Sequence, residues 1–165
     1  MGSVLGELLA ANRRYAEAVH LPQLSPRPVR GLALLTCMDA RIDLFAALGL
    51  AVGDAHLLRN AGGRATPDAI RSLLISTHVL GTREIGVLHH TDCGLEGRTN
   101  EQLADMMRAN RAEPPELDFL PFADVQDSVR ADVASLRKVP LPAGCSLWGA
   151  IFDVETGRVE VIVPD

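Results

Sequence analysis

The sequence has no long basic run and no apolar run that approaches the length of a membrane span. Its formal net charge is −5 at pH 7, so nucleic acids and anionic membranes are poor candidates for partners. Aromatic residues are scarce at 4%, whereas hydrophobic residues make up 47% and charged residues 22%. This balance is typical of a globular protein, and we expect neither nucleic acid nor membrane as a partner.

The N-terminal segment also lacks the basic region and apolar core of a secretory signal peptide. The chain contains three cysteines, an odd number for a disulfide framework. In a reducing cytoplasm, clustered cysteines and histidines favour metal binding or catalysis over disulfides. We therefore expect a cytoplasmic protein, whose 165 residues form a single domain (1–165).

Apolar periodicity predicts an alternating chain of strands and helices. Residues 3–19 have helical spacing and predict an amphipathic N-terminal helix, followed by a proline-rich connector over 21–28. Further helices are predicted over 42–48, 66–80, 99–110 and 122–138, and strands over 29–36, 54–59, 84–89, 146–154 and 158–163. The pattern predicts an α/β fold with a mostly parallel central sheet of about four strands, a C-terminal antiparallel edge strand, and flanking helices.

Two short segments after predicted strands carry the most reactive side chains. They are Cys37-Met38-Asp39-Ala40-Arg41 and His89-His90-Thr91-Asp92-Cys93-Gly94. Parallel strands present their loops at their carboxyl ends, so both segments can face one crevice. A thiolate from the first and a His-x-x-Cys group from the second would give zinc three protein ligands and leave one position open.

The choice between His89 and His90 stays open on this reasoning. Successive strand residues point to opposite faces, so at most one of them should reach the metal, and the turn spacing mildly favours His90. Cys145 has no histidine or cysteine near it in sequence and is interpreted as a packing residue. Ordinary solvated or hydrogen-bonded side chains are expected for the remaining histidines, His20, His56 and His78.

Asp39 and Arg41 could form an ordinary surface ion pair. Beside a metal, however, Arg41 could hold Asp39 by charge-assisted hydrogen bonds, while the carboxylate accepts a proton from a metal-bound water. If that contact broke, Asp39 could become a fourth ligand and close the site. Asp92 is interpreted as a turn residue.

A third segment, Asn60-Ala61-Gly62-Gly63, follows the second predicted strand. Its small residues allow the backbone to approach a bound ion or substrate closely. Ala61, Gly62 and Gly63 are therefore candidate substrate-binding residues.

Taken together, the motifs CMDAR, RNAGG (residues 59–63) and HHTDCG resemble those of the β-class carbonic anhydrases, in the same order and at similar separations. The similarity runs from Val29 to the C-terminal strands. The chain looks like a compact version of the family, and the aromatic and glutamine residues that line the pocket of plant-type members are not recognisable in it.

The resemblance implies zinc on Cys37, His90 and Cys93, which selects His90 over His89, with Asp39 and Arg41 as a catalytic dyad. It also implies a homodimer, or a dimer of dimers, with the active-site cleft along the subunit interface. The function expected from it is the reversible hydration of carbon dioxide to bicarbonate and a proton through zinc-bound hydroxide.

Two alternatives remain. Related short members of the family include enzymes that act on sulfur analogues, so the same zinc site could hydrolyse carbon disulfide or carbonyl sulfide. The chain could also be a structural or regulatory zinc-binding module without turnover, closed by Asp39. Against this last alternative, Arg41 is present to hold Asp39 away from the metal.

Overall fold

The structure, a computed structural model, describes residues 3–18 and 23–165. Within those residues one sheet contains five strands, which are β1 (Leu32–Cys37), β2 (Ala55–Asn60), β3 (Glu84–His90), β4 (Ser146–Phe152) and β5 (Val159–Val163). The strand order is β2-β1-β3-β4-β5, in which β1 to β4 are parallel and β5 pairs antiparallel with β4. The predicted fold class is therefore confirmed.

The described helices are α1 (Val4–Ala18), α2 (Leu44–Leu48), α3 (Pro67–His78), α4 (Asn100–Ala109) and α5 (Val125–Leu136). Side-chain caps explain where the last four begin, because a hydroxyl or carboxylate satisfies an otherwise free amide of the first turn. The capping residues are Asp43, Thr66, Thr99 and Asp124.

Several predicted boundaries are wrong by a few residues. The first strand was expected from residue 29, but β1 begins at Leu32, because Gly31 has a φ of +62° and breaks the extended chain. Val29 is 76% exposed and lies outside the strand. The helices expected over 42–48 and 122–138 begin at 44 and 125 instead, after Asp43 and Asp124.

Smaller differences occur elsewhere. The helix expected over 66–80 ends at His78, and the strand expected over 146–154 ends at Phe152. The N-terminal helix is observed as α1, whereas the last residue of its predicted range lies outside the described residues, as do His20 and the first two residues of the connector.

The two central strands, β1 and β3, are buried along almost their whole length. On one face of the sheet, apolar residues of α3 and α5 pack against Leu35, Ile85 and Val87. A second cluster contains Leu88, Phe122 and residues around α2. Covered on both sides, the sheet presents the carboxyl ends of β1, β2 and β3 next to one another, and these ends carry the three motifs.

Helix α1 packs differently from the other helices, because none of its residues is buried. Its apolar side chains point into solvent, with Val4 72%, Leu5 64% and Leu8 61% exposed. The amphipathic helix predicted from the sequence therefore exists, but the described chain leaves its apolar face uncovered. No helix among the described residues is long and apolar enough to cross a membrane.

Candidate metal centre

Three potential ligands converge at the carboxyl edge of the sheet. Cys37 is the last residue of β1, His90 is the last residue of β3, and Cys93 lies in the turn that follows. Their ligand atoms all lie within 4.8 Å of one another, and Cys37 and His90 are almost completely buried. The structure thus brings together the three residues that the motifs singled out.

The donor set fits zinc. Four-coordinate zinc with Zn–S near 2.3 Å and Zn–N near 2.0 Å places its ligand atoms about 3.7 Å apart, a separation that falls within the 4.8 Å found here. His90 Nδ1 lies 2.8 Å from the Thr91 carbonyl oxygen and donates to it, which leaves the Nε2 lone pair free. Nε2 is buried and has no hydrogen-bond partner among the described residues, as expected for an atom that binds a metal.

The surroundings of Cys37 favour its thiolate. Its pKa is lowered by a hydrogen bond from Cys93, by the neighbouring His90, and by the backbone amides of Asp39 and Gly62, which together outweigh burial. The same contact with Cys37 raises the pKa of Cys93. Burial lowers the pKa of His90, but the Cys37 sulfur, the Thr91 carbonyl and Asp39 together raise it by more. The cluster therefore holds negative charge on sulfur, the form that ligates a metal.

Arg41 fixes Asp39 beside this cluster. The Arg41 backbone N and Nε donate to Asp39 Oδ1 at 2.9 and 3.0 Å, and Nη2 donates to Oδ2 at 2.7 Å. These hydrogen bonds hold the pKa of Asp39 well below its usual range and raise that of Arg41. Asp39 Oδ2 lies 3.8 Å from His90 Nε2, so a carboxylate oxygen faces the metal position while Arg41 restrains it.

Asp92 has a role that the sequence reasoning missed. It does lie in a turn, with a φ of +55°, but its carboxylate also accepts from Arg41 Nη1 at 2.7 Å, and its carbonyl accepts from Nη2 at 2.9 Å. Arg41 is therefore held by two aspartates. The only local signal was the position of Asp92 between His90 and Cys93.

Arg59 of the RNAGG motif is hydrogen-bonded to the loop that follows β1. Its guanidinium donates to the carbonyl oxygens of Cys37 at 2.9 Å, Ile42 at 3.2 Å and Asp39 at 2.5 Å. Three hydrogen bonds from one side chain hold both ends of the loop that carries the thiolate and the carboxylate.

A cleft of about 450 Å³ opens in front of the cluster. Its lining comprises Cys37, Met38, Asp39, Ala40, Ala61, Gly62, Cys93, Gly94 and Leu95. Of the predicted substrate-binding residues, Ala61 and Gly62 line this cleft. Gly63 lies behind it, because a Cβ at that position would point at the Cys37 backbone N, 2.9 Å away.

The other three histidines of the described residues lie away from the cluster. His89 points to the opposite side of β3, where its Nε2 lies 3.2 Å from the Gly63 carbonyl oxygen. His56 contacts Ser76 and a backbone carbonyl, and His78 contacts the Pro140 carbonyl. Cys145 is partly buried against the core, consistent with packing.

Three protein ligands beside an open cleft are typical of a catalytic zinc site, since structural sites have four protein ligands. With the covered parallel sheet, this arrangement defines a small α/β zinc enzyme.

Comparison with known proteins identifies the family. The family model described as carbonic anhydrase matches residues 32–159. Beta-carbonic anhydrase 1 of Mycobacterium tuberculosis is 37% identical over 163 residues, which cover 98% of this chain and 99% of that protein. The crystal structure of a carbonic anhydrase from Streptococcus mutans has 46% identity and a TM-score of 0.91, covering 98% of this chain and 99% of the other. The chain belongs to the β-carbonic anhydrases, which are zinc enzymes, and the resemblance seen in its motifs is confirmed.

The comparisons also include enzymes named for another substrate. A carbon disulfide hydrolase of Acidithiobacillus thiooxidans is 48% identical over 156 residues, 79% of this chain and 71% of that protein. The two carbonic anhydrases named above match over nearly the whole of both chains, so the carbon dioxide reaction is the better supported function.

Proposed function

We propose that this enzyme catalyses the reversible hydration of carbon dioxide to bicarbonate and a proton, with zinc held by Cys37, His90 and Cys93. One observation carries the proposal: Cys37 and Cys93 line an open cleft beside the third ligand, His90, while the nearby Asp39 carboxylate is restrained by Arg41. The site therefore has a position for substrate chemistry that no protein side chain fills.

When bound, zinc lowers the pKa of a coordinated water to about 7 and so supplies a nucleophile near neutral pH. Asp39 stays ionised throughout this range, because hydrogen bonds from Arg41 lower its pKa. Its Oδ2 faces the ligand cluster and keeps a lone pair free to accept a hydrogen bond from the attacking group, which orients that group towards the carbon. Asp39 and Arg41 thus act as an orienting pair.

The walls of the cleft suit a small neutral substrate. Met38, Ala61 and Leu95 contribute apolar surface, and Gly62 adds backbone without a side chain. We assign substrate contact to Ala61 and Gly62, because both line the cleft beside Cys37. Gly63 contributes indirectly, by packing the turn against the Cys37 backbone.

Stopped-flow assays of carbon dioxide hydration by the zinc-loaded protein test this function from neutral to moderately alkaline pH. Activity should rise as water at the metal deprotonates near pH 7. Asp39→Ala should lower kcat/KM by about 10²–10⁴-fold, as expected for loss of a group that handles a proton, and should keep one zinc per chain. Asp68→Asn, an exposed carboxylate paired with Arg71, is the control and should change neither value.

The same variants separate the alternatives. A closed structural site with Asp39 as fourth ligand would lose zinc affinity in Asp39→Ala, and the parent protein would not turn over. Assays of sulfide release from carbon disulfide and carbonyl sulfide address the second substrate class. An inactive zinc-loaded parent in the carbon dioxide assay would contradict the proposal.

We also propose that the enzyme is a homodimer or a dimer of dimers. The support is helix α1, which has no buried residue and exposes the apolar face that contains Val4, Leu5 and Leu8. A contiguous apolar surface of this kind marks a protein interface, and a second copy of the chain can cover it symmetrically.

We further propose a cytoplasmic, single-domain enzyme. All three cysteines fall in the described part of the chain and are free thiols, two of them in the metal cluster, which suits a reducing compartment. The five strands of one sheet extend from residue 32 to residue 163, so a single core organises most of the chain.

A further inference from the structure

A buried ion pair lies behind the metal centre, on the side opposite the cleft. Arg64 Nε donates to Asp132 Oδ2 at 2.7 Å, and the two side chains are only 12% and 7% exposed. Asp132 belongs to α5, whereas Arg64 directly follows the short 3-10 turn Ala61–Gly63. This pair takes no part in the mechanism derived above.

Asp132 binds three groups around that turn. Besides Arg64, its carboxylate accepts from the Ala65 amide at 3.2 Å and lies 3.2 Å from His89 Nε2. His89 Nε2 also lies 3.2 Å from the Gly63 carbonyl oxygen, so it links the turn to the same carboxylate. One buried side chain therefore fixes the exit of the turn through a backbone amide, a guanidinium and an imidazole.

The turn needs such a restraint. Gly62 and Gly63 have φ values of +76° and +70°, and glycines have many other accessible conformations. At the entry to the turn, the Asn60 side chain accepts from the Arg64 amide and donates to the Arg64 carbonyl, both at 2.8 Å. The contacts of Asp132 connect the exit of the turn to α5.

The position of the turn matters for the metal ligand Cys37. The Gly62 amide hydrogen-bonds the Cys37 sulfur and lowers the pKa of that thiol. A Cβ at Gly63 would come within 2.9 Å of the Cys37 backbone N, so the turn and the ligand are in close contact. A shift of the turn would therefore move the Gly62 amide relative to the Cys37 sulfur. It would also change the contact of Gly63 with the Cys37 backbone.

We propose that Asp132 is a positioning residue for the metal centre: through Arg64, Ala65 and His89 it holds the Ala61–Gly63 turn so that the Gly62 amide stays on the Cys37 sulfur. This inference rests on the zinc site proposed above. A buried ion pair adds little net stability because desolvation offsets its attraction, whereas its hydrogen bonds have fixed directions. The ion pair between Asp132 and Arg64 therefore acts here mainly by fixing the position of the turn.

The test uses the full chain loaded with Co²⁺, whose thiolate charge-transfer absorption reports directly on the ligand sulfurs. Asp132→Asn keeps the shape of the side chain but removes its charge. We expect a shifted charge-transfer band and metal binding weaker by about tenfold in a chelator competition, the lower end for outer partners of metal ligands. Arg64→Lys, which retains the charge but loses the planar fork, should change both values in the same direction by less.

Val133→Ala is the matched control. This residue is adjacent on α5 and buried in the core, so its truncation destabilises the helix packing while the Asp132 carboxylate and its hydrogen-bonding partners are kept. The charge-transfer band and the metal affinity of Val133→Ala should equal those of the parent protein. Unchanged values in both Asp132→Asn and Arg64→Lys, or equal changes in Val133→Ala, would overturn the inference. A parent protein that binds no Co²⁺ would instead refute the proposed site itself, and the inference with it.

Discussion

Replacing Gly63 by alanine adds one methyl group, and we expect it to damage the metal centre. Gly63 has a φ of +70°, and a Cβ there would lie 2.9 Å from both the Cys37 backbone N and the Thr36 backbone C. Both are backbone atoms of β1, which neighbouring strands hold on either side, so neither can rotate away. The turn or the ligand strand must therefore move.

Two terms set the size of the effect. The left-handed conformation costs an alanine about 1–2 kcal/mol of folding free energy. Forced overlap with packed atoms adds about 1–3 kcal/mol, the usual range for overpacking. Gly157 isolates the first term, because its φ is also +70° and its Cβ would meet no atom within 4 Å. Gly63→Ala should therefore be less stable than Gly157→Ala by about 1–3 kcal/mol.

Urea unfolding of the metal-free proteins measures this difference, and chelator competition measures the affinity for zinc. We expect Gly157→Ala to bind zinc as tightly as the parent and Gly63→Ala to bind it more weakly, because the Cys37 backbone is displaced. Equal stabilities and equal zinc affinities in the two variants would refute the reasoning. They would show that a Cβ at Gly63 does not displace the backbone of β1 at Cys37.

Three further outcomes are expected. Cys37→Ser should lose zinc and activity together, whereas Cys145→Ser should keep both, as metal analysis and the hydration assay will show. Leu8→Glu should shift the protein towards a monomer in sedimentation experiments and Glu7→Gln should not; an unchanged oligomer would exclude α1 from the interface. Burial raises the pKa of Asp132, but the hydrogen bonds and charges of His89 and Arg64 together lower it by more, so the pKa of Asp132 lies below its usual value. The ionised carboxylate therefore stabilises the folded protein fully above pH about 4, and this contribution is lost as the pH falls below that value. In Asp132→Asn the free energy of unfolding should accordingly depend less on pH in the acid range.

Much of the fold could be predicted because its signals are local. Thr66 and Thr99, the first residues of the ranges predicted as helices, are the N-caps of the observed helices, the latter in a capping box with Gln102. Errors arose where a local pattern competes with a turn: Val29 continues an apolar run, yet Gly31 interrupts the strand after it. Asp92 was missed for a related reason, because a turn aspartate needs no further partner to explain it.

The sequence by itself determined the chemistry. The residue types and their spacing at the ends of alternating strands were enough to select Cys37, one of two histidines and Cys93, because each loop is local and parallel strands align their carboxyl ends. Only the tertiary structure decided which atoms meet. Arg64 and Asp132 are 68 residues apart, and their ion pair exists because α5 packs on the sheet behind the metal cluster. No local pattern encodes such a contact, since it depends on how whole elements dock.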